Sequence, residues 1–157
     1  MNISNIKLQK LLSQIVSLLP LRERKKLRDA PHVTCVFVGQ AYGRRLNREF
    51  RGLDYATDVL SFAPIEANYL GELVFCEPVL KRQAREHKIS EAEEFQYLLI
   101  HGLLHLLGYD HEKSDKEASR MYRLQDSIFD QLAPEVAVKK TPGQGHGTRN
   151  RTVRRKK

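Results

Sequence analysis

The segment SEAEEFQYLLIHGLLHLLGYDH, residues 90–111, constrains this chain more than any other. Ser90 and Glu93 form a Ser-x-x-Glu capping box, in which each side chain satisfies a backbone N–H that the first helical turn leaves without a partner. The apolar-rich run that follows reads as a helix. Gly108 ends it, because glycine accepts the left-handed backbone of a C-terminal cap.

Around this helix the local patterns predict the remaining elements. MNIS reads as a short strand, and a helix over about 5–19 is closed by Pro20. The basic stretch RERKKLRD reads as helix or loop. HVTCVFV is β-branched and bounded by Pro31 and Gly39, the pattern of a buried strand. AYGRRLNREF returns to helical spacing through Leu46 and Phe50, and TDVLSFA and YLGELVF are further strands. A helix over about 77–87 precedes the capping box. A last helix over about 113–132 has Ala118, Met121, Leu124, Ile128 and Leu132 as its buried stripe. Helices and strands mix without strict alternation, so the expected fold is α+β. It is a single domain with a small mixed sheet, packed by about five helices, with His101 and His105 on the central one.

At 157 residues the chain suits one domain with a core of its own. The expected domain is residues 1–138, followed by a basic, disordered tail over 139–157. That tail holds eight Lys/Arg and no acid, and residues 1–138 carry nineteen charges of each sign. Residues 1–51 have eleven basic and three acidic side chains, whereas 52–138 have eight and sixteen. A polyanion is therefore drawn to the N-terminal third and the tail. No stretch approaches the roughly 18–20 apolar residues of a membrane span. Lys7, Gln9, Lys10 and Gln14 make the first helix amphipathic, unlike a signal peptide. The expected compartment is the cytoplasm, with no membrane partner. Cys35 and Cys76 lie in strand-like runs without a C-x-x-C pair and read as buried free thiols.

The chemistry lies in HGLLHLLGYDH. On a helix, His101 and His105 are four apart and share a face. The break at Gly108 lets the chain reverse, so that His111 can return to them. Three imidazoles suit a metal site with one position left open for water. A single histidine on an apolar helix is usually a core residue with a satisfied ring, but here three of the six in the chain fall in one segment at ligand spacing. His32, His87 and His146 have no such company. Zinc peptidases with the His-Glu-x-x-His helix place their general base after the first histidine, and this chain has Gly102 there. Three neutral ligands leave the ion's charge uncompensated, which favours an anionic substrate such as a phosphodiester.

HGLLHLLGYDH, together with RGLDYATDVLSFA and LGEL, resembles the YbeY family of bacterial endoribonucleases over most of residues 1–132. The resemblance implies a single-strand-specific, zinc-dependent endoribonuclease acting in small-subunit rRNA 3′ end maturation and ribosome quality control. It also implies His101, His105 and His111 as ligands of one zinc ion per chain, with a basic, arginine-containing cleft beside them. Single-stranded RNA and the ribosome are the expected partners, and DNA is not. Arg51 matches the arginine that precedes the Thr57–Phe62 motif, and its guanidinium can grip two phosphate oxygens at once. The nucleophile is either water activated at the ion or the ribose 2′-OH.

Some positions depart from the family pattern. Ala63 intervenes before Pro64, Gly71-Glu72 stands for Gly-Asp, and Met121, Tyr122 and Gln125 stand where Met-Glu-x-x-Glu is usual. These departures are expected to bear on packing and to touch no ligand. Asp58 and Ser61 have no assigned chemistry. Asp110 is either a turn residue or an acceptor for an imidazole N–H. The rival readings are a metallopeptidase, which Gly102 disfavours, and a ribosome-associated binding protein with a structural metal. The latter would need a fourth ligand, for which folding would have to bring in His87.

Overall fold

A computed structural model describes residues 5–29, 32–65 and 68–132. The elements run α1 (Asn5–Leu18), α2 (Leu21–Asp29), β1 (His32–Val38), α3 (Gln40–Arg51), β2 (Val59–Phe62), β3 (Tyr69–Cys76), α4 (Glu77–His87), α5 (Glu91–Leu106) and α6 (Asp115–Leu132). The described residues thus form six helices where about five were expected, because RERKKLRD is helical in α2. The expected MNIS strand and basic tail lie outside the described residues.

The sheet has three strands in the order β1-β3-β2, with β1 parallel and β2 antiparallel to β3. Being central, β3 is covered on both faces, and its near-continuous apolar sequence is what such a strand requires. Leu73 faces α5, where its Cδ atoms lie against Gly102. Cys76 faces α3, where its Sγ lies against Gly43. Gly71 (φ 137°) allows β3 to pass both β2 and α5, since a Cβ there would stand 2.3 Å from the Phe62 carbonyl oxygen and 2.7 Å from the Leu106 side chain.

The core is built around α5. Phe95, Tyr97, Leu98, Leu99, Ile100, Leu103 and Leu104 are all buried, the signature of a helix enclosed on nearly every side. Phe75 and Phe95 meet edge to face at 5.0 Å, with Phe37 stacked on Phe75 at 5.4 Å. Ile15 and Leu19 seal one flank, and α6 covers another with Met121, Gln125, Ile128 and Phe129. Within the predicted stripe of α6, Met121 and Ile128 are buried, while Ala118, Leu124 and Leu132 are half-buried. The stripe is rotated toward Gln125 and Phe129, and that rotation brings α6 to the histidines.

Candidate metal centre

The capping box forms as expected, with the Ser90 side chain accepting from the Glu93 N–H at 3.1 Å and Glu93 accepting from the Ser90 N–H at 2.8 Å. At the other end, α5 stops in a Schellman motif. Gly108 (φ 97°) donates its N–H to His105, and Tyr109 donates to Leu104. Helix α2 braces this turn. Lys26 Nζ donates to the Leu107 carbonyl at 2.9 Å, and the Tyr109 hydroxyl donates to the buried Glu23 carboxylate at 2.9 Å. Asp110 then accepts the Glu112 N–H at 2.8 Å, so its observed role is to shape the turn. The chain reverses, and His111 returns to the open stripe of α5.

The structure brings His101, His105 and His111 together. One ligand atom from each lies within 4.8 Å of the other two. The Nε2 atoms of His101 and His105 are 3.1 Å apart, close to the roughly 3.3 Å that two nitrogens adopt around one tetrahedral zinc at 2.0–2.1 Å. Gln125 sets the tautomer of His101. Its Nε2 donates to the Tyr97 carbonyl at 3.4 Å, so its Oε1 faces His101 Nδ1 at 3.0 Å and accepts that proton. The His101 Nε2 lone pair therefore points at its neighbours, an arrangement that a shared cation satisfies. The residues present fit a metal ion.

Burial pushes the His101 imidazole well below the ordinary histidine range, opposed by its bond to Gln125. His105 is lowered by burial and then by the adjacent His111. Both rings are thus neutral at physiological pH, the state a metal ligand requires. Below the ordinary histidine pKa of about 6.5 the unfolded chain binds protons that the folded chain refuses, so stability falls as pH drops. In chelator-treated protein, the urea midpoint is expected to be flat above about pH 7 and to decline toward pH 5. His101→Gln should reduce that slope, and an unchanged slope in this variant would refute neutral burial of the ring.

The α6 departures do touch the candidate ligands, contrary to expectation. Gln125 bonds His101, and the Tyr122 ring stacks on His111 at 5.4 Å and lies 6.3 Å from His101. A local signal for Gln125 did exist, since it is a polar residue on the buried face of an amphipathic helix, four residues after Met121. Arg51, at the C-terminus of α3, pairs with Glu112, next in sequence to His111. His87 does not join the cluster. Its Nδ1 lies 2.7 Å from the buried Glu94 carboxylate. The Asp58 carboxylate accepts from the Thr57 hydroxyl, the Val59 N–H and the Gln83 side-chain amide. Ser61 donates to the Gly102 carbonyl at 3.4 Å. Cys35 and Cys76 are free thiols, Cys76 buried and Cys35 partly so, with burial pushing Cys35 up to about 11.

Gly102 has a packing reason of its own. A Cβ there would stand 2.7 Å from Cδ2 of the fully buried Leu73. Gly102→Ala is expected to cost about 1–3 kcal/mol through overpacking, read as a lower denaturant midpoint at unchanged slope. Gly102→Glu should cost more. A glutamate variant as stable as the parent would show that β3 leaves room for a peptidase base.

Fold and site together define a small α+β protein that presents three convergent histidines from one helix and the turn after it. The Endoribonuclease YbeY family model matches residues 1–133, and the chain belongs to that family. It is 47% identical over 121 residues to the Endoribonuclease YbeY of Bdellovibrio bacteriovorus, covering 74% of this chain and 81% of the relative. Identity to the Endoribonuclease YbeY of Aromatoleum aromaticum is 46% over 104 residues, covering 66% and 67% respectively. The solution structure of TM1509 from Thermotoga maritima superposes with a TM-score of 0.53 at 32% identity, covering 87% of this chain and 93% of that one. Among the described residues, no helix is long and apolar enough to cross a membrane.

Proposed function

We propose that the chain is a single-strand-specific, metal-dependent endoribonuclease that holds one zinc ion on His101, His105 and His111. The observation that carries this reading is the convergence of three imidazoles within 4.8 Å in a chain of an endoribonuclease family. The bound ion would supply Lewis acidity and an acidified water. Gln125 holds His101 in the ligating tautomer, and Tyr122 packs flat against His111, so both rings are oriented beforehand. Arg51 is the catalytic arginine of this reading. Its partner Glu112 is exposed, so the guanidinium can exchange a solvated carboxylate for a scissile phosphate and stabilise the charge that builds there. The small-subunit rRNA, the ribosome and the cytoplasm enter the proposal through the family resemblance.

Peptide hydrolysis is disfavoured because Leu73 fills the space that a base at position 102 would need. A closed structural site is disfavoured because His87, the candidate fourth ligand, is engaged by Glu94. Purified protein is expected to cut unstructured RNA, to lose that activity to a chelator and to regain it with zinc. Duplex RNA, DNA and casein should survive. A flexible single strand reaches the in-line attack geometry more readily than a stacked duplex. Proteolysis without RNA cleavage would overturn the reading.

A further inference from the structure

Helix α3, whose Arg51 reaches the residue next to His111, also carries a largely exposed aromatic ring. Phe50, in the last turn of α3, is 59% exposed. Among the described residues its aromatic neighbour is Phe62, met edge to face at 4.9 Å with the rings 77° apart. This contact fixes the ring's orientation without covering it. Two connections link Phe50 to the histidine segment. Arg51, next in sequence, reaches Glu112 beside His111. The Phe62 backbone carbonyl stands beside Gly71, which in turn faces Leu106, the residue after His105.

The helix that bears Phe50 is rich in arginine, with Glu49 as its one acid. Helix α3 carries Arg44, Arg45, Arg48 and Arg51. Arg44 and Arg48 pair with the exposed Asp54, and Arg45 lies over the Tyr42 ring at 4.5 Å. An exposed aromatic ring on an arginine-rich helix suits a single-strand nucleic-acid platform, where bases stack on rings and cations follow the phosphates.

We propose that Phe50 forms a nucleobase subsite, on which an unpaired base of the RNA substrate stacks while Arg51 grips a phosphate nearby. This rests on the endoribonuclease reading. It adds a second reason for preferring single strands, since a base within a duplex has no free face to offer.

The test measures binding of the zinc-loaded full chain to a short unstructured oligoribonucleotide whose 2′-hydroxyls are methylated to prevent cleavage. Phe50→Ala is expected to weaken binding roughly ten- to a hundredfold, the usual loss on removing one stacking ring. Phe50→Trp should retain the parent affinity, and Phe50→Leu should behave like alanine. Zinc content and thermal midpoint should change little, because the ring contributes little to the core. An abasic scan of the oligonucleotide supplies the second measurement. One position should cost the parent protein as much as Phe50→Ala does, and the variant should be indifferent at that position. Affinity in Phe50→Ala within twofold of the parent would overturn the subsite alone if the parent binds and cuts RNA. Full affinity in Phe50→Leu would replace stacking with a generic apolar contact and would also overturn it. Failure of the parent to bind any RNA would instead defeat the endoribonuclease reading on which the subsite rests.

Discussion

His105→Ala is expected to empty the metal site and reduce RNA cleavage to the uncatalysed level. Of the three proposed ligands, His105 is the middle one, with ring centroids 4.7 Å from His101 and 5.0 Å from His111. Its removal leaves two donors, fewer than zinc takes from the protein at catalytic sites. Loss of an orienting partner alone typically costs about 10–100-fold in metal affinity, so loss of a ligand should cost more. The fold should persist, because His105 is partly exposed on the open stripe of α5 and the Schellman motif that ends the helix uses only its backbone. Elemental analysis should find less than one ion per chain at concentrations where the parent is saturated. Full occupancy in this variant would remove His105 from the ligand set and with it the proposed centre. The same measurement on Gln125→Leu should show the smaller loss of an orienting contact, which separates the two roles.

Arg51→Ala is expected to leave zinc content and fold intact while lowering turnover about 10²–10³-fold, the usual effect of deleting one donor to a developing negative charge. Structurally the residue gives up little. Its partner Glu112 is exposed, and surface ion pairs of this kind are worth about 0–1 kcal/mol. Arg51→Lys should rescue only in part, since an ammonium cannot reproduce the two-pronged contact of a guanidinium. Glu112→Gln makes a useful companion. It keeps the arginine and removes its counter-charge, so its turnover should stay far closer to the parent than that of Arg51→Ala. Parent-like turnover in Arg51→Ala would return this arginine to an ordinary surface role.

The two ends of the central helix were legible because both signals are local. Ser90 and Glu93 meet across one helical turn, and Gly108 sits where the chain must adopt a positive φ, with no distant partner required. The α2 stretch was harder to read. Its composition is basic and its apolar residues few, and what secures it is a buried carboxylate bonded to Tyr109 and a lysine on the Leu107 carbonyl. Neither contact leaves a periodic trace in the chain.

The same division runs through the site. Sequence alone determined which residues can converge on an ion, because a spacing of four on a helix puts His101 and His105 on one face and a glycine stop allows His111 back. It also showed that Gly102 is no general base. Only the tertiary structure decided what surrounds them. Gln125 reaches His101 across 24 residues, Arg51 reaches Glu112 across 61, and Leu73 fills the space over Gly102 from a strand on the other side of the core. Side-chain spacing encodes the face of a single element. Contacts between elements depend on how two faces are rotated against each other, and that rotation is set by the packing of the whole core.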